Sequence, residues 1–235
     1  MTGREDQPIG QPVPGWTTRP APPRTPMQGR FCRVEPLDPA RHGKELFAAS
    51  QLDAEGRNWT YLSVGPFKGF EGYRAWLDKV AGQDDPVFHT IIDLATAKAV
   101  GVAAYMRIDR AHGVIEVGNI NYSPLLQRTP AATEAMYLLM ARVFDELGYR
   151  RYEWKCDSLN APSRAAAARL GFQYEGRFRQ AVVNKGRNRD TDWFSILDGE
   201  WPALKRAYGA WLAEANFDAE GRQKRGLGEL IRAGR

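Results

Sequence analysis

The chain has 235 residues, 43% of them hydrophobic and seven of them tryptophan, which suits one domain with appendages and gives ample material for a core. No apolar run approaches the roughly 18 residues of a membrane span, and the start has no secretory apolar segment, so the expectation is a cytoplasmic protein without a membrane partner. The net charge of +5 is small and dispersed, which argues against nucleic acid. Basic residues gather at Arg177, Arg179, Lys185, Arg187 and Arg189 and in the tail, and read as solvated segments. Cys32 and Cys156 match no metal-ligand spacing, so no metal is expected and both read as small buried apolar residues.

Residues 1 to 28 carry seven prolines and few large apolar side chains, which predicts an extended or disordered leader. RFCRVEPLD then alternates like a strand that Pro39 ends. Residues 40 to 51 and 70 to 82 read as helices separated by RNWTYLSVGPFKG. In that Gly- and Pro-containing loop Trp59, Tyr61 and Phe67 are candidates for an aromatic substrate wall, whereas Trp76, at helical spacing from Tyr73, reads as core. PVFHTIIDLA, AVGVAAYMRID and GVIEVGNINYS follow as strands, with His89 on the first and His112 in the turn before the last.

Thr129 and Pro130 have the residue types of an N-cap and a first helical position. Met136, Leu139, Met140, Val143, Phe144 and Leu147 then fall on one helical face, and Gly148 supplies a stop. Small Ala131 and Ala132 leave the helix's first N–H groups open to an anion. Tyr152, Trp154 and Cys156 alternate with charged residues as in a half-buried strand, and a short helix runs from an Asn160 cap to Gly171. The remainder reads as two strands joined by the polar turn KGRNRDT, a helix from about Trp201 to Glu214, and a mobile basic tail from 215 to 235. Residues 29 to 214 thus form one α/β domain.

The order strand, QRTPAATEA, helix, strand, NAPSRAAAARLGF resembles the GNAT superfamily of acetyl-coenzyme A-dependent N-acetyltransferases, and within it the ribosomal-protein N-terminal acetyltransferase (RimJ/RimL-like) branch. The likeness rests on ATEA and on the Asn160 to Ser163 spacing ahead of Gly171 and Phe172, and covers roughly residues 28 to 200. It implies a mixed, mostly antiparallel central sheet flanked by helices, with two central strands splayed apart. It also implies acetyl-coenzyme A as co-substrate. The pantetheine arm would lie along the main chain near Ile120 and Tyr122, and the pyrophosphate on Gln127, Arg128, Thr129, Ala131, Ala132 and Thr133. Asn160 and Ser163 would contact the arm. Pro130 stands where the family's first loop glycine is expected and removes one donor. One extra residue between Gly118 and Pro124 is the signature of a β-bulge.

Acetyl transfer needs a base for the amine and a proton for the leaving thiolate. Glu116 is the candidate base, with an ion-paired strand glutamate as its plain alternative. The glutamate that serves in the ribosomal-protein branch is replaced by Val182, leaving Asp190 and Asp192 as fallback carboxylates that read more simply as turn residues. The tyrosine that many relatives use as acid is Ala167, so Ser163 takes that role, against the alternative of a helix serine bonding local backbone. Deprotonating a lysine amine at pH 7 costs roughly 4.6 kcal/mol against about 1.4 for an α-amine. A single carboxylate therefore favours an α-amine on a small amino-acid-like molecule. A peptide N-terminus, a non-catalytic acyl-coenzyme A-binding module and a homodimer remain alternatives to be tested.

Overall fold

In the computed structural model, which describes residues 7–234, the chain forms strands Met27–Gln28 (β1) and Cys32–Pro36 (β2), then helices Pro39–Ser50 (α1) and Phe70–Val80 (α2). Strands Val87–Asp93 (β3), Lys98–Asp109 (β4) and Val114–Tyr122 (β5) precede helix Pro130–Ala141 (α3). Strand Arg151–Asp157 (β6), helix Ala161–Arg169 (α4), strands Gln173–Asn184 (β7) and Arg187–Leu197 (β8), and helices Trp201–Leu212 (α5) and Leu227–Ala233 (α6) complete it. The strands make one sheet in the order β1-β2-β3-β4-β5-β6-β8-β7. Every pairing is antiparallel except β5 with β6, which α3 joins as a crossover. This is the mixed, mostly antiparallel fold that the sequence implied.

Strand alternation gives the sheet two buried faces. Tyr105, Ile115, Val117, Tyr152, Trp154 and Ile196 pack with Met136, Leu139 and Met140 of α3, with α5 and with α6. Phe88, Ile92, Val102 and Ala104 face the other way and meet Leu46 of α1 and Tyr73 and Leu77 of α2. Beyond β4, no helix of that second cluster covers the sheet, and the face carries charged residues instead.

Four expectations change. The leader beyond Gln7 is extended but fastened: the Trp16 indole donates to Ala111 O at 2.8 Å, and Arg142 donates to the carbonyls of Thr25 and Pro26. Its first six residues lie outside the described part. The tail is folded, because Leu227, Leu230 and Ile231 offer α6 an apolar stripe that buries in the main core. The long helix leaves α geometry after Ala141 for a π turn over Arg142–Glu146, where the Leu147 N–H reaches back five residues to Arg142 O. The hairpin turn is only Lys185 and Gly186, both at positive φ as a tight two-residue turn requires, so Arg187 to Asp190 belong to β8.

Glu134 locks α3 to the sheet. Its buried carboxylate accepts the N–H groups of Arg30, Phe31 and Cys32 at 2.7 to 2.8 Å. Gly29 must lack a side chain, because a Cβ there would collide with that carboxyl group.

Candidate active site

The parallel register of β5 with β6 runs from Val114 opposite Arg151 to Val117 opposite Trp154 and stops. Past that point the strands part, so the edge of β5 from Gly118 onward faces a gap. On its other side β5 carries the bulge: Gly118 pairs Ala104 and Asn121 pairs Val102, so Asn119 and Ile120 share the single position of Ala103. Asn119 takes the left-handed φ of 49° that this insertion demands. Ile120 lies in that bulge, on main chain outside both ladders and past the last β5–β6 pair, at the mouth of the splay.

The loop after β5 delivers the start of α3 to the same mouth. The Thr129 hydroxyl caps the Ala132 N–H at 3.2 Å, while the Ala131 N–H has no acceptor among the described residues. Arg128 sits exposed at a left-handed φ of 62°. Thr133 is one turn inside, buried, and its hydroxyl accepts from Arg169 of α4 at 3.1 Å. The Gln127 amide turns inward instead, donating to Tyr122 O and to Asn58 Oδ1 at 2.8 and 2.9 Å. The Tyr122 carbonyl also receives Asn58, so it is occupied by the protein's own side chains. An open strand edge beside a helix start with small side chains fits a pantetheine arm and a pyrophosphate.

Across the gap, Asn160 caps α4 by accepting the Ser163 N–H at 3.2 Å. The Ser163 hydroxyl takes no local backbone role: its Oγ accepts the Trp154 indole N–H at 3.0 Å. Cys156 lies on the same strand face with Ser163 as hydrogen-bond partner, and burial raises its thiol pKa. Cys32 is likewise a buried thiol raised by burial, as a small apolar residue should be.

Glu116 lies one residue before the last β5–β6 pair, with 2% of its surface exposed. Its Oε1 would stand 3.3 Å from a Cβ on Gly118, so the carboxyl overlies the start of the splay. Arg107 Nη1 donates to both oxygens at 2.8 Å, and Lys155 Nζ reaches Oε2 at 3.0 Å. Burial raises the Glu116 pKa, and Lys155 and Arg107 oppose that rise. Lys155 also pairs with Glu153 at 2.7 Å and stands 3.7 Å over the Trp193 ring. Arg107 and Lys155 were not among the sequence candidates. The period-2 pattern does place Lys155 on the polar face of β6, but Arg107 reaches Glu116 only through a bulge that no pattern shows. The fallback carboxylates are spoken for: Asp192 is fully buried against Arg164 and Arg177, and Asp190 accepts the Gln180 N–H.

Of the aromatic candidates, Trp59 is corrected to core. It is 3% exposed, wedged edge-on against Phe67, Tyr73 and Trp76, and pressed against Gly65, where a Cβ would collide with its ring. Phe67 stacks on Trp76 and stays partly exposed, and the Tyr61 hydroxyl donates to Leu159 O. The β7–β8 turn closes over this loop, with Lys185 Nζ donating to the carbonyls of Trp59 and Gly65 at 2.8 and 2.9 Å. Asn184 reaches Tyr61 O at 3.5 Å.

The arrangement offers a main-chain cradle, a carboxylate on one side of the splay and a hydroxyl on the other. No described helix is long and apolar enough to cross a membrane. A sequence model described as the acetyltransferase (GNAT) domain matches residues 34–173. The crystal structure of a GCN5-related N-acetyltransferase from Brucella melitensis aligns at a TM-score of 0.92 and 54% identity, covering 94% of this chain and 100% of that one. A probable GNAT-family acetyltransferase from Chromobacterium violaceum gives 0.77 at 42% identity, covering 85% of this chain and 100% of its own. An uncharacterized N-acetyltransferase, p20, from Bacillus licheniformis is 31% identical over 146 residues, 60% of this chain and 80% of the relative. By its splayed strands, its helix start and these likenesses, the chain belongs to the GNAT family of acetyltransferases.

Proposed function

We propose that this acetyltransferase moves the acetyl group of acetyl-coenzyme A directly onto the α-amine of a small amino-acid-like molecule in the cytoplasm. The splay beside Gly118 to Ile120 receives the pantetheine arm, and the Ala131 N–H with the loop from Gln127 to Thr133 receives the pyrophosphate. Bound acetyl-coenzyme A supplies an activated acyl group and a thiol leaving group. Glu116 takes the ammonium proton, and burial, which raises its pKa against the pull of Lys155 and Arg107, makes it a stronger base than an exposed carboxylate. Ser163, from the opposite bank, has its Oγ held by the Trp154 indole and shares its hydroxyl hydrogen with Cys156, from which it must turn to protonate the departing sulfur.

The observation that supports a small acceptor is the clasp between Lys185 and the carbonyls of Trp59 and Gly65. It joins the hairpin to the loop and narrows the acceptor side, whereas a protein N-terminus needs an open groove. A thiol-release assay with acetyl-coenzyme A over amino acids, polyamines, aminoglycosides and short peptides tests this reading. Turnover confined to small α-amines is the expected result. Preference for peptides would transfer the protein to the N-terminal acetyltransferase alternative, and binding without turnover on any amine would leave a non-catalytic module.

A further inference from the structure

We propose that Arg107 selects the acceptor by binding a carboxylate on the carbon next to the amine, so that the substrates are free α-amino acids or derivatives that keep that carboxylate. The inference rests on the acetyl-transfer reading above, with Glu116 as proton acceptor.

Arg107 is placed by an expensive piece of backbone. It sits at a left-handed φ of 50°, a conformation unfavourable for a residue with a Cβ. The Asp85 carboxylate holds it there, accepting the Arg107 and Ile108 N–H groups at 3.0 and 2.9 Å. The register of β4 on β5 slips at the same place, with Met106 opposite Glu116 but Asp109 opposite Val114. Met106 and Glu116 share a sheet face, so in a regular strand Arg107 would point away from it. The bulge turns the side chain back, and the guanidinium lands on Glu116.

What it does there is incomplete as a structural ion pair. Both contacts to Glu116 use Nη1, and neither Nε nor Nη2 has an acceptor among the described residues. The Arg107 side chain is 55% exposed and that of Glu116 3%, so the guanidinium lies between the buried carboxylate and solvent with its remaining donors outward. Such a fork matches a second carboxylate. A ligand that gives its amine to Glu116 and its carboxylate to Arg107 must displace Nη1 from Glu116 or reach past it to Nε and Nη2 of the same guanidinium, so its two groups must lie close together. Attachment of amine and carboxylate to one carbon suits so short a reach; a peptide N-terminus, whose next carbonyl is an amide, offers no carboxylate there. Lys155 stays on Glu116 throughout, so the base keeps one cation when Arg107 turns to the ligand. The ammonium proton passes to a Glu116 oxygen, the freed nitrogen lone pair attacks the thioester carbonyl to form the amide C–N bond, and the C–S bond breaks to release coenzyme A as its thiolate, which takes up a proton.

The test compares each amino acid with its own α-amide on the full-length protein, by turnover and by calorimetric binding with coenzyme A present. The wild type is expected to prefer the acid by roughly 10- to 100-fold, the worth of a charge-assisted pair. Arg107→Asn, chosen because asparagine tolerates a left-handed φ, also takes a cation from Glu116 and so shifts turnover on acid and amide alike, but beyond that common change it should erase the acid-over-amide ratio through KM for the acid and leave acetyl-coenzyme A affinity unchanged. Arg107→Lys should restore it only in part. Equal use of acid and amide by the wild type, or equal losses on both in Arg107→Asn, would overturn the inference while acetyl transfer stood. Arg107-dependent binding of the acid without turnover would do the reverse, keeping the carboxylate site and ending the acetyl-transfer reading.

Discussion

Trp154 donates its indole N–H to Ser163 Oγ at 3.0 Å, and an indole nitrogen has no lone pair to accept in return. The Ser163 hydrogen is therefore forced outward from Trp154. With Ser163 as the proposed acid, the same donor would stabilise negative charge on Oγ as the hydrogen passes to the leaving sulfur. Packing holds the ring, since Trp154 is 5% exposed and edge-on to Phe172. Trp154→Phe keeps the ring contact and removes the N–H, and should lower kcat by about tenfold with KM for acetyl-coenzyme A unchanged. In a Ser163→Ala background the same change should cost nothing further; an additive loss would show that Trp154 acts through packing alone.

Glu116 carries the sharper test of mechanism. Glu116→Gln keeps the shape and loses the proton acceptor, so kcat/KM should fall by about 100-fold or more. Because burial raises its pKa, the acid limb of the wild-type rate profile should lie above the usual carboxylate range. The sign is fixed: protonation on the acidic side of that limb removes the base and turnover falls. A limb at an ordinary carboxylate value, or unimpaired turnover in Glu116→Gln, would assign the proton to another group.

Much of this was legible in the chain, for reasons that differ by residue. Strands and helices with clean alternation or a 3.6-residue stripe declared themselves, and the extra residue before Pro124 correctly announced the bulge at Asn119. The Thr129 and Asn160 caps were readable because capping is a local affair. Trp59 misled, since a Gly- and Pro-containing loop does not reveal which of its aromatic rings turns inward, here the indole onto Gly65. The tail misled through composition: its arginines and glycines hide the short stripe Leu227, Leu230, Ile231 that docks α6. Arg107, Lys155 and the Trp154 contact are relations across strands, which periodicity along one strand does not contain.

The glutamate of the ATEA motif is assigned a structural duty with a measurable cost. Replacing Glu134 by Gln puts an amide where three buried backbone N–H groups converge, leaving at least one without an acceptor. A loss of about 3 kcal/mol is expected, which for a chain of this size lowers Tm by roughly 6–12 °C. Gly29→Ala should be comparably damaging, because its Cβ has no room beside the same carboxyl. Since Glu134 also fixes the first turn of α3, acetyl-coenzyme A affinity should weaken in both variants, as calorimetry would show. A melting temperature within a degree of the wild type would mean that these N–H groups find other partners.

His89 sets the acid stability of the fold. It is fully buried on β3 with its ring edge-on to Tyr105, and burial, reinforced by Arg142 and Arg24, pushes its pKa down to about 3 from an ordinary value near 6.5. The folded state thus holds it neutral while the unfolded chain binds a proton once pH falls below about 6.5. Stability contributed by the neutral ring is complete above that pH and drains away as pH falls toward 3, at a limiting slope of about 1.4 kcal/mol per pH unit. His89→Phe cannot take that proton. Whatever the variant's stability at neutral pH, urea midpoints measured from pH 7 to pH 4 should fall less steeply for it than for the wild type. Parallel curves would place the acid sensitivity instead in carboxylates whose pKa the fold lowers, such as Glu35 beside Arg33 and Glu175 beside Arg151.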